Sequence, residues 1–139
     1  MAFPLLDTSV FPTYKKQIEK RFEFIYFSTI VLYELTASTI DQSTLQKYER
    51  WKIALNKADR LLTPSMNDYW VAANAVRRLR LLKLINKNLA ATVLQNDALI
   101  ARSAYTRDCF VVTENIKDFS LLQKVMPKLE VIPAAEFFN

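Results

Sequence analysis

The feature that most restricts this chain is the absence of two residue types, since its 139 residues include no glycine and no histidine. Glycine supplies the backbone conformations that phosphate-binding loops and dinucleotide-binding turns require, so both kinds of site are excluded. Histidine is essential to Ser-His-Asp triads, Cys-His dyads and H-E-x-x-H zinc sites, so these are excluded as well. If the chain is an enzyme, its chemistry must therefore depend on carboxylates, a metal ion or lysine.

The composition is that of a folded protein with a preference for anionic partners. Hydrophobic residues make up 51% of the chain and charged residues 24%, which argues against disorder. We therefore expect a single domain over residues 1–139. Lysine and arginine total 19 against 14 acidic residues, and the net charge of +5 favours partners such as nucleic acid.

Nothing in the sequence points to secretion or to a membrane. Cys109 is the only cysteine, so an internal disulfide is impossible. The most apolar stretch, 24–33, is far shorter than the ~20 residues that a spanning helix needs. We expect a cytoplasmic protein with no membrane contact.

Apolar residues alternate between short runs and longer helical patterns. The short runs predict strands at 3–6, 24–27, 61–63, 109–112 and 129–132. Apolar spacings of three and four predict helices at 30–40, 43–60, 65–83, 96–105 and 120–126, of which the second and third form a candidate αα-hairpin. Strands that alternate with helices indicate an α/β protein, a three-layer α/β/α sandwich with a short, mainly parallel central sheet.

Four acidic residues stand out because the predicted topology brings them to one edge of the sheet. Asp7 directly follows the first strand, and Asp118 lies in the polar loop beyond the strand at 109–112. Glu34 and Asp97 lie on helices whose N-termini are expected at the same edge. Each acid also has a structural alternative, as a helix cap, a turn residue or a charge at the margin of a packed face.

Several carboxylates at one place, with no arginine or histidine among them, would repel one another strongly unless a hard cation were present. Mg²⁺ or Mn²⁺ suits such an oxygen-rich site. One or two of these ions can activate water and stabilise the leaving oxygen during phosphodiester hydrolysis.

Four segments resemble, in this order and spacing, the PIN-domain family, and most closely its VapC-like toxin branch. They are L-L-D-T-S-V at 5–10, S-T-I-V-L-Y-E-L at 28–35, N-D-A-L-I-A at 96–101 and V-V-T-E-N-I-K-D-F at 111–119. The resemblance covers nearly the whole chain. It implies a metal-dependent ribonuclease that is usually dimeric and is neutralised by a cognate antitoxin.

The resemblance also assigns roles to individual residues. The family's acidic quartet, which binds Mg²⁺ or Mn²⁺, matches Asp7, Glu34, Asp97 and Asp118. Of these, Asp7, Asp97 and Asp118 are the expected metal ligands, while Glu34 acts directly or through a metal-bound water. Polar positions that line the site in the family match Thr8, Ser9 and Thr113.

The chain departs from the family at three positions. Glu114 stands where a basic residue is common, which makes the local charge more negative. Ser38 and Asp108 stand where glycine is usual, and aspartate tolerates the left-handed conformation better than most residues.

Basic residues cluster on or after the helix at 65–83. They are Arg77, Arg78, Arg80, Lys83 and Lys87. Such a band could hold an RNA backbone beside the carboxylates, although a solvated helix face explains it equally simply.

The leading hypothesis is a metal-dependent endoribonuclease that hydrolyses RNA phosphodiester bonds, the toxin of a type II toxin–antitoxin pair. The alternative is a catalytically silent PIN-fold module that binds RNA or protein. The two differ in their response to chelation, because only the nuclease should require the metal.

Overall fold

We analysed a computed structural model, which describes residues 2–85 and 90–139 and, within the second range, the side chains from residue 94 onward. The described residues form five short strands: β1 (Phe3–Leu6), β2 (Phe27–Ser28), β3 (Leu61–Leu62), β4 (Cys109–Thr113) and β5 (Val131–Pro133). The α-helices are α1 (Phe11–Lys20), α2 (Thr29–Ala37), α3 (Gln42–Lys57), α4 (Met66–Leu81), α5 (Ala90–Thr106), α6 (Ile116–Gln123) and α7 (Ala134–Phe137).

All strand pairings among the described residues are parallel, as the alternation of strands and helices predicts. Strands β1, β4 and β5 form one sheet, with β4 in the centre, and β2 pairs with β3. A parallel bridge between Leu5 and Tyr26 joins the two sheets. The chain is therefore an α/β protein with a short parallel sheet.

The centre of the sheet is covered on both faces. Leu5 and Leu6 are both fully buried, and so are Val111 and Val112 on the neighbouring strand. Because successive residues of a strand point to opposite faces, consecutive buried residues require helices on each side. This burial confirms the α/β/α layering.

Polar side chains set the starts of three helices. Ser28 accepts a hydrogen bond from the backbone N–H of Ile30 and caps α2. Asp41 caps α3, and Ser65 caps α4 in a reciprocal arrangement with Asp68. These caps satisfy backbone N–H groups that a helix leaves without partners.

Three predicted helix features differ from the structure. The helix predicted at 96–105 begins at Ala90, and the helix predicted at 120–126 begins at Ile116. The sequence pairs α3 with α4, whereas α4 packs mainly against α5 and α3 lies against α2. The predicted pairing is wrong because α4 packs its buried face against α5, while β3, between α3 and α4, pairs with β2.

One of the two positions without the family's usual glycine adopts a left-handed backbone. Asp108 has φ of 54° just before β4, whereas Ser38 ends α2 with φ of −92° and needs no special conformation. Asp59 and Lys83 are also left-handed, with φ of 57° and 58°. Aspartate is among the residues that tolerate this region best.

None of the helices in the described part of the chain is long and apolar enough to cross a membrane.

Candidate functional site

Asp7 lies at the carboxyl end of β1 and is held by two hydroxyl groups. Its Oδ2 accepts hydrogen bonds from Ser9 Oγ at 2.7 Å and from Thr113 Oγ1 at 2.8 Å. Asp7 is only 4% exposed. It occupies the N-cap position of the 3₁₀ turn Thr8–Val10, yet its side chain makes no capping hydrogen bond. The capping alternative therefore does not account for this carboxylate.

The hydroxyls that hold Asp7 are themselves tied to the loop after β4. The backbone N–H of Glu114 donates to Ser9 Oγ at 3.0 Å, and that of Asn115 donates to Thr113 Oγ1 at 2.8 Å. Thr113 is fully buried as the last residue of β4. These bonds join the ends of β1 and β4, which is the edge predicted from the sequence.

Glu34 reaches the same edge from α2. It lies in the second turn of this helix, and its Oε1 accepts a hydrogen bond from Thr8 Oγ1 at 2.9 Å. Thr8 is adjacent to Asp7, so the bond links two of the four predicted acids through one side chain. Each of the three predicted supporting residues, Thr8, Ser9 and Thr113, thus contacts one of the predicted acids.

Asp97 and Asp118 both accept hydrogen bonds from Asn115, a residue that the sequence did not single out. Asn115 Nδ2 donates to Asp118 Oδ2 at 2.8 Å and to Asp97 Oδ2 at 3.3 Å. The motif T-E-N-I-K-D-F contained this residue, but asparagine in a polar loop is most simply explained as a turn former. Only the spatial approach of α5 to the start of α6 reveals its bridging position.

The helical positions of these two aspartates differ from the prediction. Asp97 is not in the first turn of its helix but about two turns after α5 begins at Ala90. Asp118 is in the first turn of α6 rather than in a loop. Attraction to the N-terminal end of a helix therefore does not explain Asp97, because that effect falls off within the first turn.

The electrostatic environment of Asp97 brings the four acids into one cluster. Burial, which is the largest cause, acts together with the carboxylates of Asp7, Asp118 and Glu34 to raise the pKa of Asp97 to about 8. The hydrogen bond from Asn115 acts in the opposite direction. Among the described residues, no lysine or arginine forms an ion pair with any of the four acids. We call Asp7, Glu34, Asp97 and Asp118 the carboxylate cluster.

The donor chemistry of the carboxylate cluster fits a hard divalent cation. Its oxygens are the ligands that Mg²⁺ and Mn²⁺ prefer, and a cation would relieve the repulsion that raises the pKa of Asp97. In the described part of the chain, however, no group of three or more acidic side chains is positioned to hold a metal ion. The cluster thus has the charge of a metal site without a closed coordination shell.

The residues of the predicted basic band have different surroundings in the structure. Arg77 and Arg80 line a groove between α4 and α5, while Arg78 donates to the carbonyl oxygen of Val125 at 3.4 Å. Lys83 follows α4 in the left-handed region. Lys87 lies outside the described residues. Of the four described cations, Arg77 and Arg80 therefore line the groove, whereas Arg78 and Lys83 do not.

Comparison with solved structures identifies the fold. The chain is similar to a chain of the DNA-bound VapBC complex from Salmonella typhimurium, with a TM-score of 0.61 and 18% identity. The match covers 96% of this chain and 99% of that chain. It also matches one in VapBC-1 from nontypeable Haemophilus influenzae, with a TM-score of 0.62, 17% identity, and coverage of 96% and 98%. The chain has the PIN-domain fold.

A third match covers almost as much of the PIN fold at higher identity. It is to a chain in VapBC2 from Rickettsia felis bound to a promoter DNA fragment, with a TM-score of 0.56, 25% identity, and coverage of 94% of this chain and 98% of that chain. No protein-family model and no curated protein sequence matches the chain. The family resemblance seen in the four sequence motifs is therefore confirmed at the level of the fold.

Proposed function

We propose that this chain is a metal-dependent endoribonuclease that hydrolyses RNA phosphodiester bonds as a single PIN-like domain over residues 1–139. The observation that supports the proposal most strongly is the environment of Asp97, a partly buried acid whose pKa is raised by three other carboxylates and which forms no ion pair with a cation among the described residues. A fold gains nothing from such repulsion, so the cluster is best explained by a cation that belongs to its function.

Asp7, Asp97 and Asp118 are the residues that would hold Mg²⁺ or Mn²⁺, with Glu34 beside them. When bound, such an ion activates a water molecule and stabilises the leaving oxygen of the phosphodiester. The chain's neutral donors keep the acids in place. Ser9 and Thr113 fix Asp7, and Asn115 fixes the pair Asp97 and Asp118. Hydroxyl and amide donors orient carboxylates without neutralising them, so the negative charge stays available to a cation.

Replacement of Asp7 tests the proposal directly. In Asp7→Asn we expect cleavage of single-stranded RNA with Mn²⁺ to fall by more than ~100-fold, because the loss of a ligand should exceed the effect of losing an outer partner. Asp59→Asn, which changes an exposed aspartate far along the chain from the cluster, is the matched control. Cleavage is followed on denaturing gels and folding by circular dichroism. Undiminished cleavage by a folded Asp7→Asn protein would sink the assignment.

One observation favours a second function. Among the described residues, no group of three or more acidic side chains is positioned to hold a metal ion. A catalytically silent module that binds RNA or protein would keep this fold and this charge. The silent module should retain RNA in EDTA and cleave none after Mn²⁺ is restored. The nuclease should lose cleavage in EDTA and regain it with Mn²⁺.

We extend the proposal to a biological role as the toxin of a type II toxin–antitoxin pair. The matched chains come from VapBC complexes, and this chain would correspondingly bind a cognate antitoxin, act as a homodimer and reside in the cytoplasm. Induction of the chain alone should arrest growth, and co-expression of the antitoxin should relieve the arrest. Asp7→Asn should fail to arrest growth. Light scattering of the purified chain tests the dimer.

A further inference from the structure

The groove between α4 and α5 has a chemistry distinct from that of the carboxylate cluster. Its volume is about 380 Å³. Tyr69 stands at one end, Arg77 and Arg80 stand toward the other end, and Gln95 and Asn96 line the wall formed by α5. We call it the α4–α5 groove. None of its described lining residues is acidic, in contrast to the neighbouring cluster.

The wall formed by α4 follows the spacing of one helical face. Tyr69, Ala73, Arg77 and Arg80 recur at intervals of four or three residues. At 1.5 Å per residue this face is about 16 Å long. That length spans several nucleotides of a stacked strand, whose bases repeat every ~3.4 Å. The alanines between the aromatic ring and the arginines leave room for a planar group to approach.

Each kind of lining residue matches one part of a nucleotide. Tyr69 is 51% exposed, so its ring is available to stack on a base. Arg77 and Arg80 are exposed guanidinium groups that suit phosphate oxygens. The amides of Gln95 and Asn96 offer both donors and acceptors to base edges. An acidic peptide would satisfy the arginines but would leave the aromatic ring and amides without a specific role.

The α4–α5 groove and the carboxylate cluster share one helix. Asn96 lines the groove, and the next residue of α5, Asp97, belongs to the cluster. We propose that the α4–α5 groove binds a segment of single-stranded RNA beside the cleaved phosphate, with a base on Tyr69 and phosphates on Arg77 and Arg80. This inference rests on the proposed ribonuclease function for its substrate class.

The experiment measures binding rather than cleavage. Fluorescence anisotropy with a short, labelled single-stranded RNA of mixed sequence is recorded in EDTA on the Asp7→Asn background. Tyr69→Ala and Tyr69→Leu should each weaken binding by about 10-fold, because both remove a stacking ring. Tyr69→Phe should bind like the parent. Trp70→Ala is the matched control, since Trp70 is an exposed aromatic residue of α4 that does not line the groove.

The contribution of the two arginines is tested through the salt dependence of RNA binding. The double variant Arg77→Gln/Arg80→Gln should lower the slope of log affinity against log salt by about 1.4, since each lost single-strand phosphate contact contributes ~0.7. The control Arg50→Gln/Lys57→Gln removes two exposed positive charges from α3, outside the groove, and should leave the slope near the parent value. Circular dichroism verifies that every variant is folded.

Two results would overturn the inference. One is an equal loss of affinity in Tyr69→Ala and Trp70→Ala, or in Arg77→Gln/Arg80→Gln and Arg50→Gln/Lys57→Gln, which would mean diffuse attraction rather than a groove. The other is a glutamate-rich peptide whose binding depends on Tyr69 and Arg77 while RNA binding does not, which would make the groove a protein-docking site. Because binding is measured without metal, either result leaves the cleavage test with Asp7→Asn independent.

Discussion

Two aspartates on the packed helices α4 and α5 occupy opposite electrostatic environments. The side chain of Asp68 is 13% exposed and accepts a hydrogen bond from Arg102 Nε at 2.9 Å. Burial acts to raise its pKa, but the bonds from Ser65 and Arg102 outweigh burial and lower it. Asp97 is partly buried, and burial together with neighbouring carboxylates raises its pKa to about 8. One acid is compensated by a cation of the fold, whereas the other has no such cation among the described residues.

Because of these different environments, Asp68 stabilises the fold, whereas Asp97 destabilises it. Arg102 and the N-terminus of α4 repay the desolvation of Asp68. Among the described residues, the hydrogen-bond partner of Asp97 is the neutral amide of Asn115, which orients the carboxylate but leaves the repulsion in place. Sites that tolerate such a cost are usually functional, because the charge has a use that packing does not provide.

The largest expected effect is an unusual pH dependence of stability in the metal-free chain. Between the ordinary pKa of an aspartate and about 8, the folded state binds one more proton at Asp97 than the unfolded state does. Stability in EDTA should therefore fall as pH rises from about 5 to about 8, by up to about 1.4 kcal/mol per pH unit. Urea melts at several pH values measure this slope.

Substitution of each aspartate in turn shows which of them causes the fall of stability with rising pH. Asp97→Asn should flatten it, because no proton is then gained on folding. Asp68→Asn should leave it intact, because a lowered pKa matters only at more acidic pH. A slope that persists in Asp97→Asn would contradict the comparison.

The next effect is the response of stability to metal. Mn²⁺ at a hundredfold excess over its dissociation constant should stabilise the wild-type chain by about 2.7 kcal/mol at neutral pH. Asp97→Asn should lose most of this gain, and Asp68→Asn should keep it. Thermal melts with and without EDTA measure both. Equal stabilisation of the two variants would show that Mn²⁺ binds elsewhere.

A smaller effect is expected from the compensated acid itself. Asp68→Asn removes the charge that Arg102 faces while the amide oxygen can still accept from the backbone N–H of Ser65. We expect a loss of roughly 1–2 kcal/mol, between the effect of a cap and that of a buried pair. Denaturation in EDTA at neutral pH measures it, with Ser65→Ala as the control for the cap alone.

The parts of the fold that the sequence predicts are those encoded locally. The continuous β-branched run at 109–112 and the apolar run at 3–6 appear as β4 and β1, because buried parallel strands need such residues. Asp7 and Thr113 follow from the same logic, since parallel strands place their carboxyl ends together. The four-motif resemblance then predicts the fold as a whole.

The parts that the sequence does not predict depend on contacts between distant segments. Asn96 and Asp97 resemble a helix start, because their side chains favour caps, yet packing of α5 against α4 extends the helix back to Ala90. Asn115 contacts an aspartate 18 residues away, which no local pattern encodes. The packing of α4 against α5 is likewise a tertiary contact that no local pattern encodes.

The smallest effect concerns an acid that is paired but exposed. Arg107 Nη2 lies 3.0 Å from Asp59 Oδ2, and the Asp59 side chain is 84% exposed, so water screens the pair. Asn replaces Asp59 without disturbing its left-handed backbone, because asparagine also tolerates φ near 57°. We expect Asp59→Asn to change the free energy of unfolding by less than about 0.5 kcal/mol in a urea melt. A loss as large as that of Asp68→Asn would mean that pairing, rather than burial combined with pairing, determines what an aspartate contributes here.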